Sequence, residues 1–133
     1  MKPTHVEHIG IAVESIETAR KFYEQVLGLE CYAMEEVPDH KVKTAFFRLG
    51  DTKIELLEST DPEGPIAKFI ARKGPGLHHI ALAVENAGEA LAEAASSGTE
   101  LIDKVARKGA ENLNIGFLHP RSAGGVLIEF CSK

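Results

Sequence analysis

The chain is poor in cysteine. Cys31 and Cys131 are the two in 133 residues, and they form no motif. A disulfide framework is therefore excluded as the basis of the fold, and two free thiols in a reducing compartment, the cytoplasm, are expected. Long apolar runs are missing as well. No stretch approaches the roughly 18 consecutive apolar residues of a membrane span, and the N-terminal MKPTHVEHIG carries no signal-peptide core. No membrane partner is expected. Positive charge is also in short supply, with a formal net charge of -5 at pH 7. A protein that grips phosphate backbones needs a basic face, so nucleic acid is not expected as a partner. Low-complexity segments are absent. A chain of this length folds as one compact domain and buries about two-thirds of its unfolded surface, which needs neither metal nor disulfide for stability.

What the sequence does contain is a phrase written twice. HIGIAVES at 8–15 matches HIALAVEN at 79–86 residue for residue, from His8 against His79 to Ser15 against Asn86. Ser15 and Asn86 are good helix N-caps, and Asn86 has Glu89 three residues on. A helix is expected after each. Its apolar face is Ile16, Ala19, Phe22, Tyr23 and Val26 in the first copy and Ala87, Ala90, Leu91, Ala94 and Ala95 in the second. The second face is less bulky, so that helix should lie closer to its sheet. Each helix should stop at a glycine with left-handed backbone, Gly28 or Gly98. Strands are expected at 30–37, 42–49 and 53–58, with LGDT as a hairpin turn, and again at 99–106, 113–118 and 125–131. Pro65 opens a linking helix that ends at Gly74. The expected fold class is α+β. Two tandem βαβββ modules occupy about 1–60 and about 76–133, a helical linker spans about 61–75, and the whole of 1–133 makes a single domain with an open, eight-stranded, barrel-like sheet around a metal site.

Strand alternation singles out the candidate site. In the first strand Ile9, Ile11 and Val13 share one face, and His8, Gly10 and Ala12 the other. The fifth strand repeats this with Ile80, Leu82 and Val84 against His79, Ala81 and Ala83. A histidine followed only by very small side chains leaves room above it, as a cavity wall would. The last strand of each module adds a carboxylate between apolar neighbours: Glu55 in KIELLE and Glu129 in VLIEFC. The two match under the same repeat. A lone buried carboxylate is costly. Two that are related by the repeat, with two histidines related the same way, are accounted for by one shared divalent cation. His8, Glu55, His79 and Glu129 would fill four octahedral positions and leave two adjacent ones for a chelating substrate. The other histidines, His5, His40, His78 and His119, are expected to be structural or solvated.

Paired βαβββ modules with a histidine near the start and a glutamate near the end resemble the vicinal-oxygen-chelate superfamily. Over nearly the whole chain the resemblance is to its methylmalonyl-CoA epimerase family, carried by HIGIAV, FYEQVLGLE, GDTKIELLE, PIAKFIARKGPGLHHIA and FLHPRSAGGVLIE. It implies metal ligation by His8, His79 and Glu129, with position 55 as a fourth and sometimes weaker ligand that is glutamine in some members. Co2+ is the first expectation, with Zn2+, Mn2+ and Ni2+ open. It also implies a CoA thioester substrate and a homodimer. One position departs from the pattern: some bacterial members carry a glutamate, proposed as a base, where this chain has Thr44.

The implied reaction interconverts (R)- and (S)-methylmalonyl-CoA by 1,1-proton transfer through a metal-stabilised enolate. It needs a base on each face of the α-carbon. The repeat offers Glu55 and Glu129 as that catalytic pair. The rivals are a glyoxalase I-type lyase, which shares the metal and proton chemistry, an extradiol dioxygenase, and a small-molecule-binding protein of the same superfamily. GPGLHHIA and HPRSAGGVLIE favour the epimerase.

Overall fold

A computed structural model describes residues 1–133. The elements run β1 (His5–Ala12), α1 (Ile16–Lys21), β2 (Cys31–Val37), β3 (Val42–Leu49), β4 (Thr52–Ser59), α2 (Pro65–Lys73), β5 (Gly76–Ala83), α3 (Ala87–Ser96), β6 (Arg107–Lys108), β7 (Asn114–Leu118) and β8 (Ile128–Ser132). The eight strands are hydrogen-bonded in the order β2-β3-β4-β1-β5-β8-β7-β6. The α+β class and the eight-stranded sheet are as the sequence leads one to expect. Residues 9–78 form one compact unit, and residues 1–8 with 79–133 form another. No helix is long and apolar enough to cross a membrane.

The repeat reaches down to single hydrogen bonds. Ser15 Oγ accepts from the Thr18 amide at 3.2 Å, and Asn86 Oδ1 accepts from the Glu89 amide at 2.9 Å, so each capping side chain satisfies an amide that the helix itself leaves unpaired. The Val13 amide donates to the Leu57 carbonyl, and the Val84 amide donates to the Cys131 carbonyl, both at 2.9 Å. A second cap comes from far along the chain. The Ile16 amide donates to Glu58 Oε1 at 2.7 Å, and the Ala87 amide donates to Ser132 Oγ at 2.9 Å. Glu58 and Ser132 each lie three residues beyond the matching glutamates, so each copy ties its helix to the strand that carries its carboxylate. Ser132→Ala should leave the buried Ala87 amide without an acceptor and cost about 1–2 kcal/mol. The expected reading is a melting temperature lower by roughly 5 °C in the metal-free protein. Glu58→Ala acts in the other unit, and its loss should add to that of Ser132→Ala. Unchanged melting temperatures would contradict both caps.

Each helix buries its apolar face within its own unit. Ile16, Ala19 and Tyr23 pack with Val13, Ala45, Phe47 and Leu56. Ala87, Ala90 and Leu91 pack with Val84, Leu118 and Phe130. A Cβ at Gly116 would lie 2.4 Å from Leu91 Cδ1, which measures how closely α3 approaches β7. Gly28 and Gly98 have φ of 69° and 91°, the left-handed backbone expected where these helices stop. Gly50 in the LGDT turn has φ of 62° and joins strands paired from Leu49–Thr52 to Val42–Ser59.

Four local expectations are corrected. Ala95, expected on the inner face of α3, is exposed, and Ala94 alone closes that end of the face. Phe22 and Val26 do not face the core. They are 52% and 69% exposed, because residues 22–26 form a π-helical turn whose wider winding rotates them outward and leaves Tyr23 and then Leu29 inside. The segment 99–106 is not a strand. It makes one β-bridge, Leu101 to Leu118, the Ile102 and Asp103 amides both donate to the Phe117 carbonyl, and the Asp103 carboxylate accepts from the Phe117 amide at 2.8 Å where a strand would have offered a carbonyl. The small residues after each histidine do not all line open space either. Ala81 packs against Ile115 and Cys131, and Ala12 against Val42, Leu57 and Ile66.

Candidate metal centre

His8 comes from the middle of β1, His79 from β5 and Glu129 from β8, and all three are buried. Two pairings set this. β5 and β8 run parallel with Ala81 opposite Glu129, which brings the carboxylate beside His79 on the same face. β7 and β8 run antiparallel with Phe117 opposite Glu129. The Phe117 ring stands edge-on to the His79 ring at 5.3 Å, and the His8 and His79 rings meet edge-on at 5.1 Å. Apolar packing thus fixes the planes of rings whose nitrogens converge.

The converging atoms are His8 Nε2, His79 Nε2 and Glu129 Oε1. The two nitrogens are 3.0 Å apart, and the oxygen lies 3.0 Å from His8 Nε2 and 3.6 Å from His79 Nε2. Burial alone would raise the pKa of Glu129. Hydrogen bonds from His79 and His8, and the positive charge they carry when protonated, more than offset this and hold the carboxyl well below the usual carboxylate range. Cys131 Sγ also donates to Glu129 Oε1, at 3.3 Å.

This donor set fits a divalent cation. Three lone-pair atoms at these separations repel one another unless a proton or a cation lies among them. Metal–ligand bonds of about 2.0–2.2 Å put neighbouring ligand atoms about 3.0 Å apart in an octahedral site and about 3.4 Å apart in a tetrahedral one, close to the observed spacings. Behind His8, its Nδ1–H donates to Glu7 Oε1 at 2.8 Å, so a cation that displaced the proton from Nε2 would meet that nitrogen's lone pair beside the other two donors. Glu55, the fourth residue singled out by the repeat, is buried on β4 of the other unit, opposite Phe46 of β3.

Sequence reasoning missed three residues here. Cys131 had a signal, since it sits two positions after Glu129 and so on the same face. Glu7 had none, because neighbours on a strand point to opposite faces. Phe117 needed the β7–β8 register. Thr44 is buried in β3, where its Oγ1 donates to the Glu35 carbonyl of β2 at 3.2 Å. His119 lies outside the cluster, with Nδ1 accepting from the Arg121 amide and Nε2 3.6 Å from Glu100.

The site and fold define a class. The chain belongs to the glyoxalase/bleomycin resistance protein/dioxygenase superfamily, whose family model matches residues 7–117. An uncharacterised protein of Bacillus subtilis, YqjC, is 44% identical over 95% of this chain and 90% of its own. The ethylmalonyl-CoA/methylmalonyl-CoA epimerase of Cereibacter sphaeroides is 37% identical over 93% of this chain and 94% of its own. A variant of the Streptomyces coelicolor methylmalonyl-CoA epimerase, solved with 2-nitronate-propionyl-CoA, superposes with a TM-score of 0.96 at 28% identity over 99% of this chain and 96% of that one. Within the superfamily, the chain belongs to the methylmalonyl-CoA epimerase family.

Proposed function

We propose that the protein interconverts (R)- and (S)-methylmalonyl-CoA by 1,1-proton transfer, using one divalent cation per chain. The observation that carries this reading is the convergence of His8 Nε2, His79 Nε2 and Glu129 Oε1 at 3.0, 3.0 and 3.6 Å in a chain of the epimerase family. Imidazole and carboxylate donors suit a cation of intermediate softness. Co2+ is the proposed ion, and Zn2+, Mn2+ and Ni2+ share the preference. Glu55, buried at the matching place in the first copy, is the proposed fourth ligand.

When bound, the cation supplies Lewis acidity at the thioester oxygen, where negative charge develops as the α-proton leaves. The proton itself is moved by the chain. Glu55 and Glu129 sit on equivalent strands of the two copies, and each is proposed to serve one face of the α-carbon. One takes the proton and the other returns one. A carboxylate that ligates a cation has lowered basicity, so Glu129 would act as a base only as that ligation loosens. The proposal includes assembly as a homodimer. Cys31 and Cys131 form no disulfide, which suits the proposed reducing compartment, the cytoplasm.

The test offers Co2+-loaded protein a single epimer of methylmalonyl-CoA and, separately, the hemithioacetal of methylglyoxal and glutathione. The other epimer should form and lactoylglutathione should not. The reverse outcome would sink the reading. Thr44 enters as a structural hydroxyl in this account. Thr44→Val gives up the hydrogen bond to Glu35 and should change kcat/KM less than tenfold, about 1.4 kcal/mol of barrier. A loss of several hundredfold would place chemistry at that strand position.

A further inference from the structure

Glu7 precedes His8 on β1, and ideal strand geometry would send the two side chains to opposite faces. The Glu7 carboxylate instead bends back to His8. Its Oε1 accepts from His8 Nδ1–H at 2.8 Å with the side chain 13% exposed, so the bond is largely screened from water. Glu7, His8 and Cys131 bring one polar atom each within 4.8 Å of one another, and the Cys131 thiol reaches on to Glu129 Oε1 at 3.3 Å. Two of the three converging donors, His8 and Glu129, therefore each hydrogen-bond to a member of this partly buried group of side chains. The second copy has His78 at the place of Glu7, with its ring edge-on to Phe69, so the residue before the histidine is a carboxylate in the first copy alone.

We propose that Glu7 is a positioning residue that fixes the tautomer and ring plane of His8 and thereby sets the affinity of the metal centre. An imidazole that must donate from Nδ1 to a carboxylate keeps its Nε2 lone pair free for a cation. Without Glu7 nothing in this contact prevents the proton from moving to Nε2, which closes that nitrogen to a ligand. The proposal rests on the reading of His8, His79 and Glu129 as a metal site, and one part of its test is independent of that reading.

The experiment compares wild type with Glu7→Ala and Glu7→Gln. In metal-free protein labelled with 15N-histidine, long-range 1H–15N spectra should show a proton held on His8 Nδ1 in wild type and lost from it or exchanging in Glu7→Ala, whatever the state of Nε2. Chelator competition with Co2+ should show a loss of about 10–100-fold in affinity for Glu7→Ala. Glu7→Gln keeps an acceptor oxygen and should lose less. A purely structural role would instead lower the melting temperature of the metal-free protein and leave tautomer and affinity alone. If Glu7→Ala does not fold, Glu7→Met fills the same volume without an acceptor and takes its place. Wild-type tautomer and wild-type Co2+ affinity in these variants would overturn the proposal. A wild-type protein that takes up no Co2+ would overturn the metal site instead, and with it the affinity role of Glu7, while the tautomer shift would still decide whether Glu7 orients His8.

Discussion

His79→Ala is expected to leave the protein almost free of metal. Elemental analysis after Co2+ loading should fall from one ion per chain in wild type to a small residue in the variant, and His8→Ala should behave alike. The magnitude follows from what is removed. Changes behind a ligand already cost about 10–100-fold in affinity, and His79→Ala deletes one of three converging donors outright. It also takes a hydrogen-bond donor away from the buried Glu129 carboxylate, which should cost the metal-free protein about 1–3 kcal/mol. Melting curves therefore accompany the metal analysis, so that loss of ion can be told from loss of fold. Full metal content in both folded variants would mean that the centre lies elsewhere.

Glu55→Gln separates ligation from proton transfer. Glutamine keeps the shape and a coordinating oxygen but removes the basicity, so metal content should stay near one per chain. Epimerisation should drop by about 10²–10⁴-fold, the usual range for loss of a general base. The remaining base still serves its own face of the α-carbon. The variant should therefore exchange the α-hydrogen of one epimer with solvent deuterium while failing to convert that epimer into the other. Glu129→Gln should show the opposite preference, with weaker metal binding, since Glu129 Oε1 is also the oxygen between the two histidines. Epimerisation at the wild-type rate in Glu55→Gln would reduce Glu55 to a ligand or a bystander and send the search for a second base to other groups.

The contrast between what the chain spells out and what it hides has a physical pattern. Ser15 and Asn86 are legible because a cap acts on an amide three residues away, and the left-handed Gly28 and Gly98 because only the local backbone decides them. The pairing of His8 with His79 is legible because the repeat writes it twice. The outward turn of Phe22 and Val26 is not, since the spacing 16, 19, 22, 23, 26 fits an α-helix and gives no sign of the π-helical turn. The loss of strand at 99–106 is hidden for another reason: it depends on Asp103 capturing the Phe117 amide, fourteen residues away. The surroundings of the candidate metal centre hide in the same way. Phe117 reaches His79 only through the register of β7 on β8, and Glu7 reaches His8 only by departing from the ideal pleat. Local chemistry and repetition are written in one dimension. Contacts made by register and by side-chain detours are not.

The central claim is proton exchange at a carbon flanked by a thioester and a carboxylate. Its most direct test incubates Co2+-loaded protein with a single epimer of methylmalonyl-CoA in D2O and follows the α-carbon by NMR and mass spectrometry. Deuterium should enter at the α-position as the other epimer appears, both should stop when a chelator strips the ion, and both should resume when Co2+ is restored. Substrate that keeps its α-hydrogen and its configuration in the presence of fully loaded protein would contradict the account.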